Sequence, residues 1–128
     1  MIKPIPKRLL PHNCTYKEYL GNTGEGDEWG LDLSLNFVKF EEKTQLKVTS
    51  NGREIVGNAR LFYDLTNSSG LSAKPVQNSK IIFKGREYRV VDTDILCGEE
   101  DNPHHYEVLL KWKNSIILKM LSIGEQKL

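Results

Sequence analysis

The chain has 128 residues, of which 38% are hydrophobic and 27% charged, with a formal net charge of +1. That length fits one domain burying about two thirds of its unfolded surface, and the near-zero charge excludes a global basic field for nucleic acid. Its two cysteines, Cys14 and Cys97, are too few for a disulfide framework and form no Cys-x-x-Cys spacing, so they read as reduced thiols of a protein made inside a cell.

Residues 1–13 read as an arm. Pro4, Pro6 and Pro11 fix φ, remove three backbone donors and push Lys3, Ile5 and Leu10 toward extended conformations. Ile2, Ile5, Leu9 and Leu10 nevertheless want burial. The arm is expected either to lie on a neighbouring subunit through those four side chains or to pack on its own domain as an edge strand. No apolar stretch follows Lys3, Lys7 and Arg8, so the start is not read as a signal peptide. No run approaches the roughly 20 apolar residues of a membrane span.

Thr15 to Leu20 fits a short helical turn, with Thr15 as cap and Glu18 three residues on. Gly21 to Asp27 is a flexible loop. It is not a phosphate loop, because no Gly-Lys-Ser/Thr follows and the next element is a strand. Trp29, Leu31, Leu33, Leu35 and Phe37 alternate with Gly30, Asp32, Ser34 and Asn36, the period of a strand with one dry face. This strand is expected over 28–40. Its phase slips where Phe37, Val38 and Phe40 crowd together, which predicts a bulge or sharp bend.

Glu41-Glu42-Lys43 is expected to turn the chain into a strand over 44–49. Asn51-Gly52 then stands between Leu46-Lys47-Val48 and Ile55-Val56, a strong hairpin signal. The strand over 54–64 is interrupted by Gly57-Asn58, again a bulge signature. Residues 65–79 form a long polar loop of a kind that is often functional. Lys80 to Val91 is a compact hairpin turning at Lys84-Gly85, and Asp92–Leu96 prolongs its second strand toward an acidic loop, Gly98 to Pro103. His104 to Lys113 is the last clear strand. Residues 114–128 fit a helix stripe or a strand with a tail.

The fold class is therefore all-β: a single domain over 1–128 built as a small barrel of about six strands. Residues 1–13 are its arm, 14–113 the barrel and 114–128 a short C-terminal segment. A closed barrel removes exposed sheet edges.

No set of residues points to catalysis or to a cofactor. His104 and His105 are neighbours on a strand and face opposite ways, and no further ligand stands at metal spacing. His12 and Cys14 share a face of an extended segment, with nothing to orient the imidazole. Asp92 and Asp94 read as a solvated loop end. One charge pattern is more suggestive. From Leu65 to Arg86 there is no acidic residue, while Lys74, Lys80, Lys84 and Arg86 are positive. These four are candidate DNA-channel residues if copies repeat around a ring, since phosphate neutralisation grows with each contact. They are otherwise solubilising loop cations.

Several segments carry a family pattern in order and spacing. Pro6 to His12 precedes Thr15-Tyr16-Lys17-Glu18-Tyr19; Asn58 to Asp64 comes with Asn67-Ser68; Ser79 to Val90 follows, then His104 to Val108. From about residue 6 to 112 the chain resembles the minor capsid proteins of tailed phages and prophages of Gram-positive bacteria. That group is similar to the head-completion, stopper-type connectors of long-tailed phages. The resemblance implies a structural protein without enzyme activity or cofactor, sited at the head–tail neck of the virion and in the host cytoplasm during assembly. Its implied partners are the portal and adaptor above, the tail terminator below, other copies in an oligomeric ring, and packaged double-stranded DNA, with no membrane. The loop over 65–79 is one candidate to face the DNA and the hairpin over 41–54 its rival. Residues 114–128 extend past the resemblance as a candidate docking tail. A second reading from the residues alone is an OB-like barrel that stacks single-stranded nucleic acid on Tyr63, Tyr88 and Tyr106.

Overall fold

The computed structural model describes residues 3–98 and 102–112. Six strands follow a single 3-10 turn at Lys7–Leu9: β1 (His12–Asn22), β2 (Asp27–Thr49), β3 (Gly52–Asp64), β4 (Lys80–Phe83), β5 (Arg86–Cys97) and β6 (Pro103–Trp112). Every pairing is antiparallel, and the strands close into a barrel in the order β1-β2-β3-β6-β5-β4. Lys17 opposite Lys80 and Thr15 opposite Ile82 join the last strand of that order to the first.

The inward side chains follow the period of two. Cys14 and Tyr16 on β1, Leu35, Val38 and Phe40 on β2, and Ala59, Leu61 and Tyr63 on β3 are buried. Ile81, Tyr88, Val90, Val108 and Leu110 complete the core from the other three strands. Burial of each aliphatic side chain contributes about 1.5–3 kcal/mol. The interior is filled, as expected for a barrel with so few strands.

Bulges bend these strands into closure. Asn36 and Phe37 on β2 stand opposite Asn13 alone, and Phe37 has φ +55°. That is the phase slip read in the sequence: Val38 returns inward while Phe37 points out under the Lys7 ammonium, 4.6 Å from the ring centroid. A second irregularity lies between Lys17 and Tyr19, where Gly30 and Leu31 oppose Glu18. It turns Trp29 to the outer face, so the five alternating residues do not share one dry side. A third falls at Gly57-Asn58, as the sequence indicated. A Cβ on Gly57 would come 3.2 Å from the Leu110 carbonyl oxygen, so glycine lets β6 approach. The Lys84-Gly85 turn has φ of +50° and +78°, both positive as a type I′ hairpin needs.

Three expectations are corrected. Thr15 to Leu20 is strand, not helical turn: Tyr16 is buried and paired to Leu33 and Ile81, so two neighbouring strands override a weak local cap signal. Glu41-Glu42-Lys43 does not turn the chain. β2 runs unbroken for 23 residues, with an irregularity between Glu42 and Gln45 in place of a turn. Residues 65–79 are not a free loop. They cross one end of the barrel and plug it, with Ser68, Pro75 and Ser79 buried.

The N-terminal residues pack on their own domain, though not as a strand. The Ile5 N–H donates to Asp64 Oδ1 at 3.0 Å and Asn67 Nδ2 donates to the Ile5 carbonyl at 2.8 Å. Leu10 is only 1% exposed.

Candidate functional site

The two ends of the barrel differ. At one end β2 and β3 overrun their neighbours. β3 meets β6 only from Ala59 onward, yet its pairing with β2 continues from Gly57 to Gly52. The result is a two-stranded arm that turns at Ser50-Asn51. Leu46, Val48 and Ile55 lie on one face of it, 52%, 78% and 43% exposed. Leu46 and Ile55 are cross-strand partners, and Val48 is two residues along.

Below the arm lies the open mouth. Phe40 and Phe83 stack with centroids 4.2 Å apart, and Tyr88 meets Phe40 edge-on at 4.9 Å. Two shallow depressions of about 420 and 340 Å³ share Glu42 and Arg86. Arg86 Nη1 donates to Glu42 Oε1 at 3.2 Å and its guanidinium lies 5.3 Å from the Trp112 ring centroid. Both charges are exposed, so the ion pair contributes at most about 1 kcal/mol. His12 stands beside this mouth. Its Nδ1 accepts the Phe40 N–H at 2.9 Å, and burial, then Lys84 and Lys39, hold the imidazole pKa below 6.5.

At the other end the 65–79 segment forms a cap. Asp64 is fully buried and accepts N–H bonds from Thr66 and Asn67 as well as Ile5. Ser68 Oγ accepts the Asp64 N–H and donates to the Phe37 carbonyl. Thr93 Oγ1 donates to the Pro75 carbonyl, and the Leu71 N–H donates to the Tyr63 hydroxyl. Gly70 has φ +120°, and a Cβ there would collide with the Ser34 carbonyl oxygen. The β1–β2 hairpin projects past this cap, with Leu20 54% and Leu31 87% exposed and with Glu25, Asp27 and Glu28 at its tip.

The four cations marked in the sequence are not gathered at one place. Lys74 is exposed in the cap. Lys84 is exposed at the far end of β4, by the mouth, 5.3 Å over Phe83. Lys80 lies on the outer wall, 4.2 Å over the Trp29 ring and 3.7 Å from Glu87. Arg86 is engaged by Glu42. Of the four arm residues, Leu10 is core, Ile5 is half-buried against the cap, Leu9 is 48% exposed, and Ile2 lies outside the described residues. Residues 113–128 do so too.

The aromatic side chains offered for base stacking are mostly inside. Tyr63 and Tyr88 are buried and Tyr106 is half-buried, stacked on Tyr63 at 6.0 Å. The Cys14 thiol faces the core, where burial pushes its pKa up to about 12, so it is protonated at neutral pH and a poor nucleophile. Among the described residues no three His, Cys, Asp or Glu side chains are grouped to hold a metal ion. His104 Nδ1 and His105 Nδ1 lie 2.8 Å apart, and His104 Nε2 reaches the Lys3 carbonyl at 2.7 Å, which ties β6 to the N-terminal segment. The anchoring roles of Asp64 and Ser79 escaped the sequence reading, although both residues stand in the family pattern. Asp64 followed by Thr66 and Asn67 carried a usable sign, since an Asp accepting from backbone two and three residues on is a common turn device.

What this arrangement offers is surface: an arm, a mouth, a cap and a projecting hairpin. No curated protein matches the chain. A family model described as minor capsid protein matches residues 6–110, nearly the whole barrel with its N-terminal segment. The chain therefore belongs to the minor capsid protein family, and its role is a structural one in a phage particle.

Proposed function

We propose that this minor capsid protein is a head–tail connector of the stopper type. It forms a ring under the portal and adaptor, helps to retain packaged DNA and offers the docking surface for the tail terminator. The work is done by projecting segments, not by a reacting group. The observation that carries this reading is the pairing of a filled, capped barrel with an arm that overruns it and leaves Leu46, Val48 and Ile55 in water. Isolated two-stranded ribbons are marginal in water, so such an arm gains stability from a neighbour. Lys74 and Lys84 are exposed and can meet phosphates, contacts that position without reading sequence.

Cryo-electron imaging of particles carrying a tagged copy tests the proposal. The expected result is label at the neck, in a closed ring. Label spread over the capsid shell, or absent from the particle, overturns it. A monomer in solution is compatible with the reading, because ring closure can require the portal as template.

A further inference from the structure

We infer that the β2–β3 arm of one copy docks, through Leu46, Val48 and Ile55, on the β1–β2 hairpin of a second copy around Leu20 and Leu31. This rests on the connector reading only in requiring several copies side by side. Single exposed apolar residues are ordinary on protein surfaces. These three are not single: they share one face of a ribbon that, among the described residues, pairs with no third strand. From Gly52 to Val56, β3 pairs only with β2 among the described residues, so the arm also carries a free strand edge, which native proteins usually cover or blunt.

Charge selects the occupant. The arm over 43–57 carries Lys43, Lys47 and Arg53 against Glu54 alone, and Arg53 pairs with Val48 on the apolar face. The hairpin from Leu20 to Glu28 carries Glu25, Asp27 and Glu28 and no cation. Arm against arm sets like charges together, and so does hairpin against hairpin. Arm against hairpin brings opposite charges around exposed apolar side chains on both surfaces, the pattern that favours one register over its rivals. The two surfaces lie at opposite ends of β2, so one copy presents both at once. A contact between two different surfaces is head-to-tail, and it closes a ring when the rotation per copy closes.

Site-directed disulfide trapping tests this in a Cys97→Ser background. A chain carrying both Val48→Cys and Leu31→Cys is oxidised as purified protein and within assembled particles. The expected product is a ladder of disulfide-linked oligomers, formed about tenfold faster than with Val48→Cys and Lys74→Cys, because docking raises the effective concentration. Arg53→Glu should slow the ladder, and Glu28→Arg in the same chain should restore it. A ladder in particles alone still supports the inference. No ladder in either setting overturns it, as does a rate equal to that of the control. Preferred linkage of Val48→Cys to its own kind overturns it in favour of arm-to-arm pairing. Preferred intrachain linkage to Met120→Cys overturns it in favour of the chain's own C-terminal residues; the last described residue, Trp112, donates its N–H to Asn58 Oδ1 at the base of the arm. Absent linkage with label at the neck leaves the connector reading standing, and a ladder with label elsewhere removes that reading alone.

Discussion

The Tyr16 hydroxyl lies 3.2 Å from Ser79 Oγ, inside the barrel, across 63 residues of sequence. It also accepts the Val76 N–H at 3.0 Å, while Ser79 Oγ accepts the Tyr19 N–H at 2.9 Å. One phenol therefore joins β1 to the far end of the cap. Tyr16→Phe keeps the ring but leaves a backbone donor without its acceptor, and should cost about 1–3 kcal/mol. The loss should be local. Hydrogen exchange at Val76 should quicken well before that of Leu61 or Val108 in the barrel wall. Equal acceleration at all three sites would count against a separate cap.

Asp64 is the matching anchor at the start of the cap. Its carboxylate accepts three backbone N–H bonds, from Ile5, Thr66 and Asn67. Asp64→Ala should lower stability by about 3 kcal/mol or more, since it strands three donors. It should also release the N-terminal residues. Trypsin should then cut after Lys7 or Arg8 in the variant at concentrations that spare the parent chain. Denaturant melting gives the first number and mass spectrometry of the digest the second.

His12 makes stability depend on pH in a defined direction. Its folded pKa is lowered below 6.5 by burial and by Lys84 and Lys39, so folding favours the neutral ring. The unfolded chain binds the proton more readily. This stabilisation is therefore complete above about pH 6.5 and is lost as pH falls through the folded pKa. His12→Asn keeps an acceptor for the Phe40 N–H but cannot titrate. Between pH 7 and pH 5 the variant should lose less melting temperature than the parent; identical slopes would show that His12 contributes nothing.

The two thiols should separate cleanly by reactivity. Cys97 is exposed, whereas Cys14 is buried with its pKa pushed up to about 12. At pH 8 a thiol reagent should modify Cys97 quickly and Cys14 only on unfolding. Counting fast and slow equivalents with and without denaturant settles it. Two fast equivalents in the native protein would mean that β1 does not sit as described.

Much of the barrel was legible because its strands are wet outside and dry inside. Leu33 and Leu35, or Leu61 and Tyr63, carry that period, and Asn51-Gly52 and Lys84-Gly85 mark turns by their backbone needs alone. What escaped depends on distant partners. Thr15 and Glu18 look like a helix cap until Ile81 and Leu33 are placed on either side of Tyr16. Glu41 and Glu42 look like a turn because their charges suit one, but they suit an exposed, irregular stretch of strand equally well. The polar composition of 65–79 suggests a solvated loop; Asp64 with Thr66 and Asn67 marks a turn at its start, but nothing local shows that Ser79 holds its far end through Tyr16 and Tyr19. The candidate surfaces were hidden for a similar reason. Leu31 and Val48 have the alternation of core residues, and they are exposed where β2 outruns β3 at one end and β1 at the other.

The filled interior has one more consequence. Leu35, Leu61 and Leu110 occupy the axis of the barrel, and the segment from Leu65 to Ser79 shuts one end. Nothing can thread a single copy. In the ring proposed above a polymer would have to travel between subunits, so the width of that passage would be set by how many copies gather and how they lean, not by the bore of any one of them.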